Sequence, residues 1–133
     1  MTKQERLKKH VLYWITTAEH DWGTAQSLWR AKRYDGCLFF CHLVCEKTLK
    51  AAVVKASQKD APRIHYLIRL GSDAGLLLSG EQEKMLAEIN HFNIVTRYPV
   101  DLAAFHRLAS MSHSEPYYKF TGRFLKWVKE NHL

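Results

Sequence analysis

The stretch RYDGCLFFCHLVCEKTLKAAVV, residues 33–54, decides the fold of this chain. Drawn as a helix, it is apolar around nearly its whole circumference, which is typical of a helix at the centre of a bundle. Three charged residues, Glu46, Lys47 and Lys50, nevertheless lie in its middle. Because an unpaired buried charge is costly, we expect this helix to hold partnered charges at an interface or cleft.

Helical periodicity continues through most of the remaining sequence. Apolar residues recur at steps of three and four, and Pro62 and Pro99 interrupt the pattern between segments. The patterns predict helices over residues 5–31, 36–57, 64–71, 81–94 and 101–109, followed by a last helix with Pro116 in its first turn. Together they predict an all-α, up-and-down bundle of about five helices that forms a single domain over residues 1–133.

Two helix ends carry recognisable local signals. Asp35 is expected to cap the start of the second helix, and Gly71 to stop the third. His65 opens the third helix in this interpretation, where a structural role is favoured over catalysis. Trp14, Trp22 and Trp29 follow the apolar stripe of the first helix and are therefore predicted to pack in the core or a dimer interface.

Composition and charge limit the class of protein. The chain has 133 residues, of which 47% are hydrophobic and 25% charged, as in soluble globular proteins. It lacks a signal-peptide pattern and a run of ~18 apolar residues, so we expect a cytoplasmic protein with no membrane contact. The net charge is +7, and residues 1–70 carry 13 Lys and Arg against 6 Asp and Glu. That excess favours a polyanionic partner, although a solvated basic surface fits the charge equally well.

The three cysteines predict packing rather than chemistry. Cys37, Cys41 and Cys45 are four residues apart and so form one row on a helix, where a fourth metal ligand is not in line. We expect them to be buried free thiols. We also expect no metal and no cofactor, because the sequence has no Walker loop and no His-Glu-x-x-His motif.

Four segments in a particular order resemble the HEPN domain. They are Trp14 with Ala18 and Asp21, RYDGCLFFCHLVCEKTLKA at 33–51, PRIHYLIRL at 62–70 and TRYP at 96–99. The resemblance covers about residues 14–127. It implies a helical bundle that binds a nucleotide or RNA, commonly forms a homodimer, and in some cases pairs with a separate nucleotidyltransferase in a toxin–antitoxin-like system.

Active HEPN RNases are metal-independent and carry an Arg followed by a His after four to six residues. This sequence departs from that pattern, because the next histidine after Arg97 is His106, nine positions on. Arg107 and His113 match the spacing formally but lie after the expected position. The sequence therefore favours a binding module over an RNase. Two alternatives stay open: an RNase toxin, using Arg107 with His113 or Arg97 with a distant histidine, and a dimerisation scaffold without ligand.

Candidate site residues fall into two groups. In the first, Glu46 is expected to be neutralised by Lys50 or Arg97 in a polar cluster that also includes Asp21; the alternative is that Asp21 and Glu46 are ordinary exposed residues. The second group consists of the predicted ligand contacts Arg97, Tyr98, Lys47 and Lys50. A guanidinium beside an aromatic ring can clamp a phosphate and stack a base, although Arg97 can equally cap the preceding helix.

Overall fold

Six helices are present in the described part of the chain. The computed structural model describes the backbone of residues 1–95 and 99–133, and the side chains of residues 1–93 and 102–133. The helices are α1 (Lys3–Arg30), α2 (Tyr34–Ser57), α3 (Leu67–Asp73), α4 (Gly80–Val95), α5 (Pro99–Leu108) and α6 (Met111–His132). No strand occurs among these residues. The predicted all-α bundle is confirmed, and its six helices correspond to the six predicted segments rather than to the expected total of about five.

α2 is the central helix of the bundle. α1, α3, α4 and α6 all pack against it, which is why its apolar residues extend around the whole circumference. The row formed by Cys37, Cys41 and Cys45 is fully buried and free of disulfides, as predicted. Burial raises the pKa of the Cys45 thiol, and the neighbouring Cys41 adds to this effect. These thiols are therefore packing groups rather than nucleophiles.

α1 and α6 meet through an aromatic stack. The ring of Tyr118 on α6 stacks on Trp29 at 4.5 Å between centroids and on Trp22 at 5.0 Å. Gly122, one turn further along α6, leaves room for the Trp22 ring: a Cβ at this position would lie 2.7 Å from that ring. The packing role predicted for these two tryptophans is confirmed.

Three predicted helix ends are wrong. α2 begins at Tyr34, which puts Asp35 in its first turn, where the Asp35 carboxylate pairs with His106 instead of capping. Gly71 is buried inside α3, because it packs against the Leu78 side chain while the helix continues to Asp73. Pro116 lies inside α6, since the side chain of Ser110 accepts the backbone N–H of His113 and so starts the helix at Met111.

The contact between Gly122 and Trp22 gives a stability prediction. Gly122→Ala should lower the free energy of unfolding by about 1 kcal/mol, because displacing the packed ring outweighs the better helix propensity of alanine. Gly23→Ala is the matched control, since Gly23 lies in the interior of α1 with nothing within 4 Å of an added Cβ. It should raise the free energy of unfolding by about 0.5–1 kcal/mol. Urea denaturation measures both; equal stabilisation by the two changes would contradict the packing argument.

Candidate functional site at the α1–α2 seam

A row of α1 side chains faces α2 and the loop at residues 58–66. Arg6, His10, Trp14 and Asp21 are spaced by four, four and seven residues, so they share one side of the helix. Their partners lie on α2 and in the loop. We call the whole group the α1–α2 seam; its members are Arg6, His10, Trp14, Asp21, Glu46, Lys47, Lys50, Asp60 and His65.

The centre of the seam is a buried carboxylate. Glu46 Oε2 lies 3.2 Å from Lys50 Nζ, and Glu46 Oε1 lies 2.9 Å from His65 Nδ1. The side chains of Glu46 and Lys50 are each only 8% exposed, whereas that of His65 is 56% exposed. Lys50 Nζ also lies 5.1 Å from the centroid of the Trp14 ring, within the range of a cation–π contact. Glu46 therefore holds a buried cation with one oxygen and an exposed imidazole with the other.

Asp21 forms a second ion pair further along the seam. Its Oδ2 lies 2.6 Å from Lys47 Nζ, and His20 Nδ1 approaches Oδ1 at 3.6 Å. Asp21 therefore pairs with Lys47 and Glu46 with Lys50, although both carboxylates belong to the seam. Both residues are buried, at 6% relative exposure, so the alternative that they are ordinary exposed residues is wrong.

Asp60 connects the loop to the start of α1. Its Oδ1 lies 2.9 Å from both Arg6 Nη1 and His10 Nδ1. The hydrogen bond from Arg6 lowers the pKa of the Asp60 carboxyl, and His10 contributes in the same direction. These contacts are exposed, so they contribute little to stability but anchor the loop that carries His65.

Sequence reasoning missed Arg6, His10 and Asp60, and it did not place His65 in the seam. His65 lies just before α3 rather than opening it, and its partner Glu46 is 19 positions away on α2. The one signal in the sequence was a carboxylate on an otherwise apolar helix, because both oxygens of a buried carboxylate need partners. That signal indicates that a second partner exists, but not which residue supplies it.

The predicted ligand contacts have different outcomes. Arg97 and Tyr98 lie outside the described residues. Lys47 and Lys50 are both engaged by carboxylates, and Lys50 is buried. Arg107 is exposed in the last turn of α5, and exposed His113 lies in the first turn of α6.

The seam itself is electrically balanced. Arg6, Lys47 and Lys50 supply three positive charges, and the three carboxylates offset them when the two histidines are neutral. Part of the basic excess lies beside the seam, where the start of α1 meets the end of α2. There Lys8 and Lys55 line a shallow depression of about 240 Å³. Exposed Lys59 and Arg63 follow in the loop before His65.

Two further features of the described residues concern metals and membranes. No three histidine, cysteine, aspartate or glutamate side chains come together as a metal-binding group in the described part of the chain. Among the described helices, none combines the length and hydropathy that spanning a bilayer requires.

The fold and the seam define an all-α bundle whose longest helices enclose paired charges beside a basic edge. A family model for the HEPN domain matches residues 11–131, so the chain belongs to the HEPN family, as its sequence segments predicted. Searches of curated proteins and of solved structures found no match.

The buried pair gives a double-mutant prediction. Glu46→Gln should lower the free energy of unfolding by about 2–4 kcal/mol, because it leaves Lys50 buried without an anion. Lys50→Met removes the charge but retains an apolar side chain of similar length. The free energy of unfolding lost in the double variant should be smaller, by at least about 1 kcal/mol, than the sum of the losses in the two single variants. The exposed pair Glu115 and Lys119 has the same i, i+4 spacing and is the control. Its coupling should be only about 0.3 kcal/mol; equal coupling in the two cycles would contradict burial as the cause.

Asp60 gives a prediction about pH. The Asp60 carboxyl should titrate below the ordinary value of about 3.9, and Arg6→Gln should raise its pKa toward that value. Because the folded-state pKa is lowered, the stabilisation is present above about pH 4 and is lost as the pH falls through the folded-state value. Carboxyl NMR titration measures the shift. Lys9→Gln removes a neighbouring cation that does not touch Asp60 and should leave the titration unchanged; an equal response to both changes would rule out the Arg6 contact as the cause.

Proposed function

We propose that this HEPN domain binds RNA or a nucleotide by its phosphate at the basic end of the α1–α2 seam. The observation that carries the proposal is His65, an exposed imidazole held at Nδ1 by a buried carboxylate. Holding Nδ1 fixes the ring and leaves Nε2 for an outside partner. No hydrogen bond to Nε2 is recorded from any described residue.

Exposed cations at the start of α1, at the end of α2 and in the loop that carries His65 support an anionic ligand. Lys8, Lys55, Lys59 and Arg63 are exposed, and none of them forms an ion pair within the described residues. Exposed cations without carboxylate partners are the groups that contact phosphates and release counterions on binding. When its ring is protonated, His65 adds a directional hydrogen bond from Nε2–H, since its Nδ1–H is already donated to Glu46.

Other seam residues have supporting roles in the proposal. Lys50 is buried and acts through Glu46, so it positions His65 rather than touching the ligand. Lys47 is 22% exposed and held by Asp21, which makes it a peripheral contact at most. Arg97 and Tyr98 remain proposed as a phosphate clamp and a stacking ring, on the resemblance of TRYP to the family pattern.

A second candidate function is metal-independent cleavage of RNA. The carboxylate that orients His65 favours it, because an imidazole fixed through Nδ1 is suited to proton transfer at Nε2. Arg97 would then be the phosphate-binding partner. Arg107 with His113 is the other proposed pair, and no contact between these two side chains is recorded in the described part of the structure.

We further propose that residues 1–133 form one cytoplasmic domain that acts as a homodimer. Leu12 and Tyr13 are exposed at 62% and 61% on α1, next to the seam, and offer an apolar surface for a second copy. A separate nucleotidyltransferase in a toxin–antitoxin-like pair is the proposed further partner, on the family resemblance alone.

Binding of a fluorescent single-stranded RNA in EDTA tests the proposed function. We expect affinity to fall steeply between 50 and 200 mM salt, and His65→Ala to weaken binding by about tenfold. His106→Ala is the matched control, because His106 is also an exposed histidine held by a carboxylate, that of Asp35. It should leave binding unchanged.

The molar mass of each variant should be measured alongside, so that loss of binding can be separated from dissociation of a dimer. Absence of salt-dependent binding, or equal losses in both variants, would overturn the proposed phosphate site. Cleavage of the RNA in EDTA that is abolished by His65→Ala would establish the second candidate function instead.

A further inference from the structure

A second concave site lies between α4, α5 and α6. The pocket has a volume of about 500 Å³, which is within the usual range for small-molecule sites. Its main lining residues are Glu88, His91, Phe92, Phe105, His113 and Tyr117. None of them belongs to the seam.

Aromatic rings form the walls of this pocket. The rings of Phe92 and Tyr117 meet edge to face, with centroids 5.1 Å apart and planes at 89°. Phe105 packs against Phe92 at 5.6 Å and 37°. Rings at such different inclinations present both a face and an edge to the same space, which suits a flat aromatic ligand.

Four side chains with polar groups, those of Glu88, His91, His113 and Tyr117, line this pocket. Burial raises the pKa of Tyr117, and a hydrogen bond to the Glu88 carboxylate raises it further. The Glu88 carboxylate lines the same pocket and offers lone pairs to a hydrogen-bond donor. The exposed rings of His91 and His113 add groups that can donate or accept hydrogen bonds.

We propose that this pocket binds a nucleobase that carries an exocyclic amine. The base lies against Phe92, Phe105 and Tyr117, and its amine donates to Glu88. The proposal rests on the proposed function in taking a nucleotide or RNA as the ligand. It adds where the base is read and which bases are preferred.

Charge argues against two other ligands for the pocket, a phosphate group and a small ammonium ion. Among the residues whose side chains the structure describes, no lysine or arginine lines it, so we place the uncharged base inside and the phosphate outside. A small ammonium ligand would also suit a carboxylate among rings, but the net charge of +7 repels cations and attracts phosphate-bearing ligands. A nucleotide fits both the pocket and the positive net charge, because its uncharged base can lie inside while its phosphate stays outside.

Adenosine and purine riboside monophosphates test the proposal, because their bases differ only in the exocyclic amine. Calorimetric titration in EDTA should give about tenfold tighter binding of the adenosine nucleotide. Glu88→Ala should bring this ratio close to one, since it removes the acceptor of the amine. Glu88 is partly exposed, so this change should leave the fold intact.

Filling the pocket provides the second test. Ala104 lines the pocket, whereas the preceding Ala103 is exposed on the same helix and does not. Ala104→Phe should abolish binding of the adenosine nucleotide, and Ala103→Phe should leave it unchanged. No binding by the unmodified protein, no preference between the two nucleotides, or equal effects of the two phenylalanines would overturn the pocket proposal.

His65→Ala separates this proposal from the phosphate site. If nucleotide binding is lost in His65→Ala and kept in Ala104→Phe, the pocket proposal fails while the seam stands. If binding and base preference are lost in Ala104→Phe and kept in His65→Ala, the pocket stands and the seam proposal fails. Loss in both variants, with both controls intact, supports a ligand that reaches both sites.

Discussion

The buried ion pair between Glu46 and Lys50 is the constraint on which the α1–α2 seam depends. Moving two charges out of water into the centre of a bundle costs several kcal/mol for each ion, and their attraction repays it only if the remaining polar atoms also find partners. Glu46 finds its second partner in His65, and Lys50 lies over the Trp14 ring. The pair therefore determines where α1 and the loop at 58–66 must lie against α2.

Sequence reasoning succeeded where the determinants are local. The apolar circumference of α2 is a property of a short stretch of chain, so periodicity was enough to predict the central helix. The i, i+4 spacing made Lys50 one of two predicted partners of Glu46, with Arg97 as the other. Burial of the cysteine row follows from the same pattern. The helix starts were harder, since Ser110 is a stronger N-terminal signal than Pro116, and a proline can be accommodated inside a well-packed helix.

The partners of the seam could not be predicted in the same way. Asp21 had a choice of two lysines on the facing helix, and only the antiparallel register of α1 and α2 pairs it with Lys47. His65 reaches Glu46 through a loop closed over 19 positions, and no local pattern encodes that closure. The pocket between α4, α5 and α6 was harder to predict than the seam, because its lining residues come from three helices that are brought together only by the tertiary packing.

Two histidine–carboxylate pairs in this structure show why burial, rather than pairing, marks a candidate site. His106 and Asp35 join α5 to α2 at the surface, with side chains 52% and 26% exposed, so water competes with the contact and either group can be lost at small cost. Glu46 is 8% exposed and shares its charge with Lys50, so its hold on His65 is enforced by the surrounding bundle. An exposed imidazole fixed by a buried anion has lost rotational freedom before any ligand arrives. Less entropy then remains to be lost on binding, which is the advantage of a preorganised site.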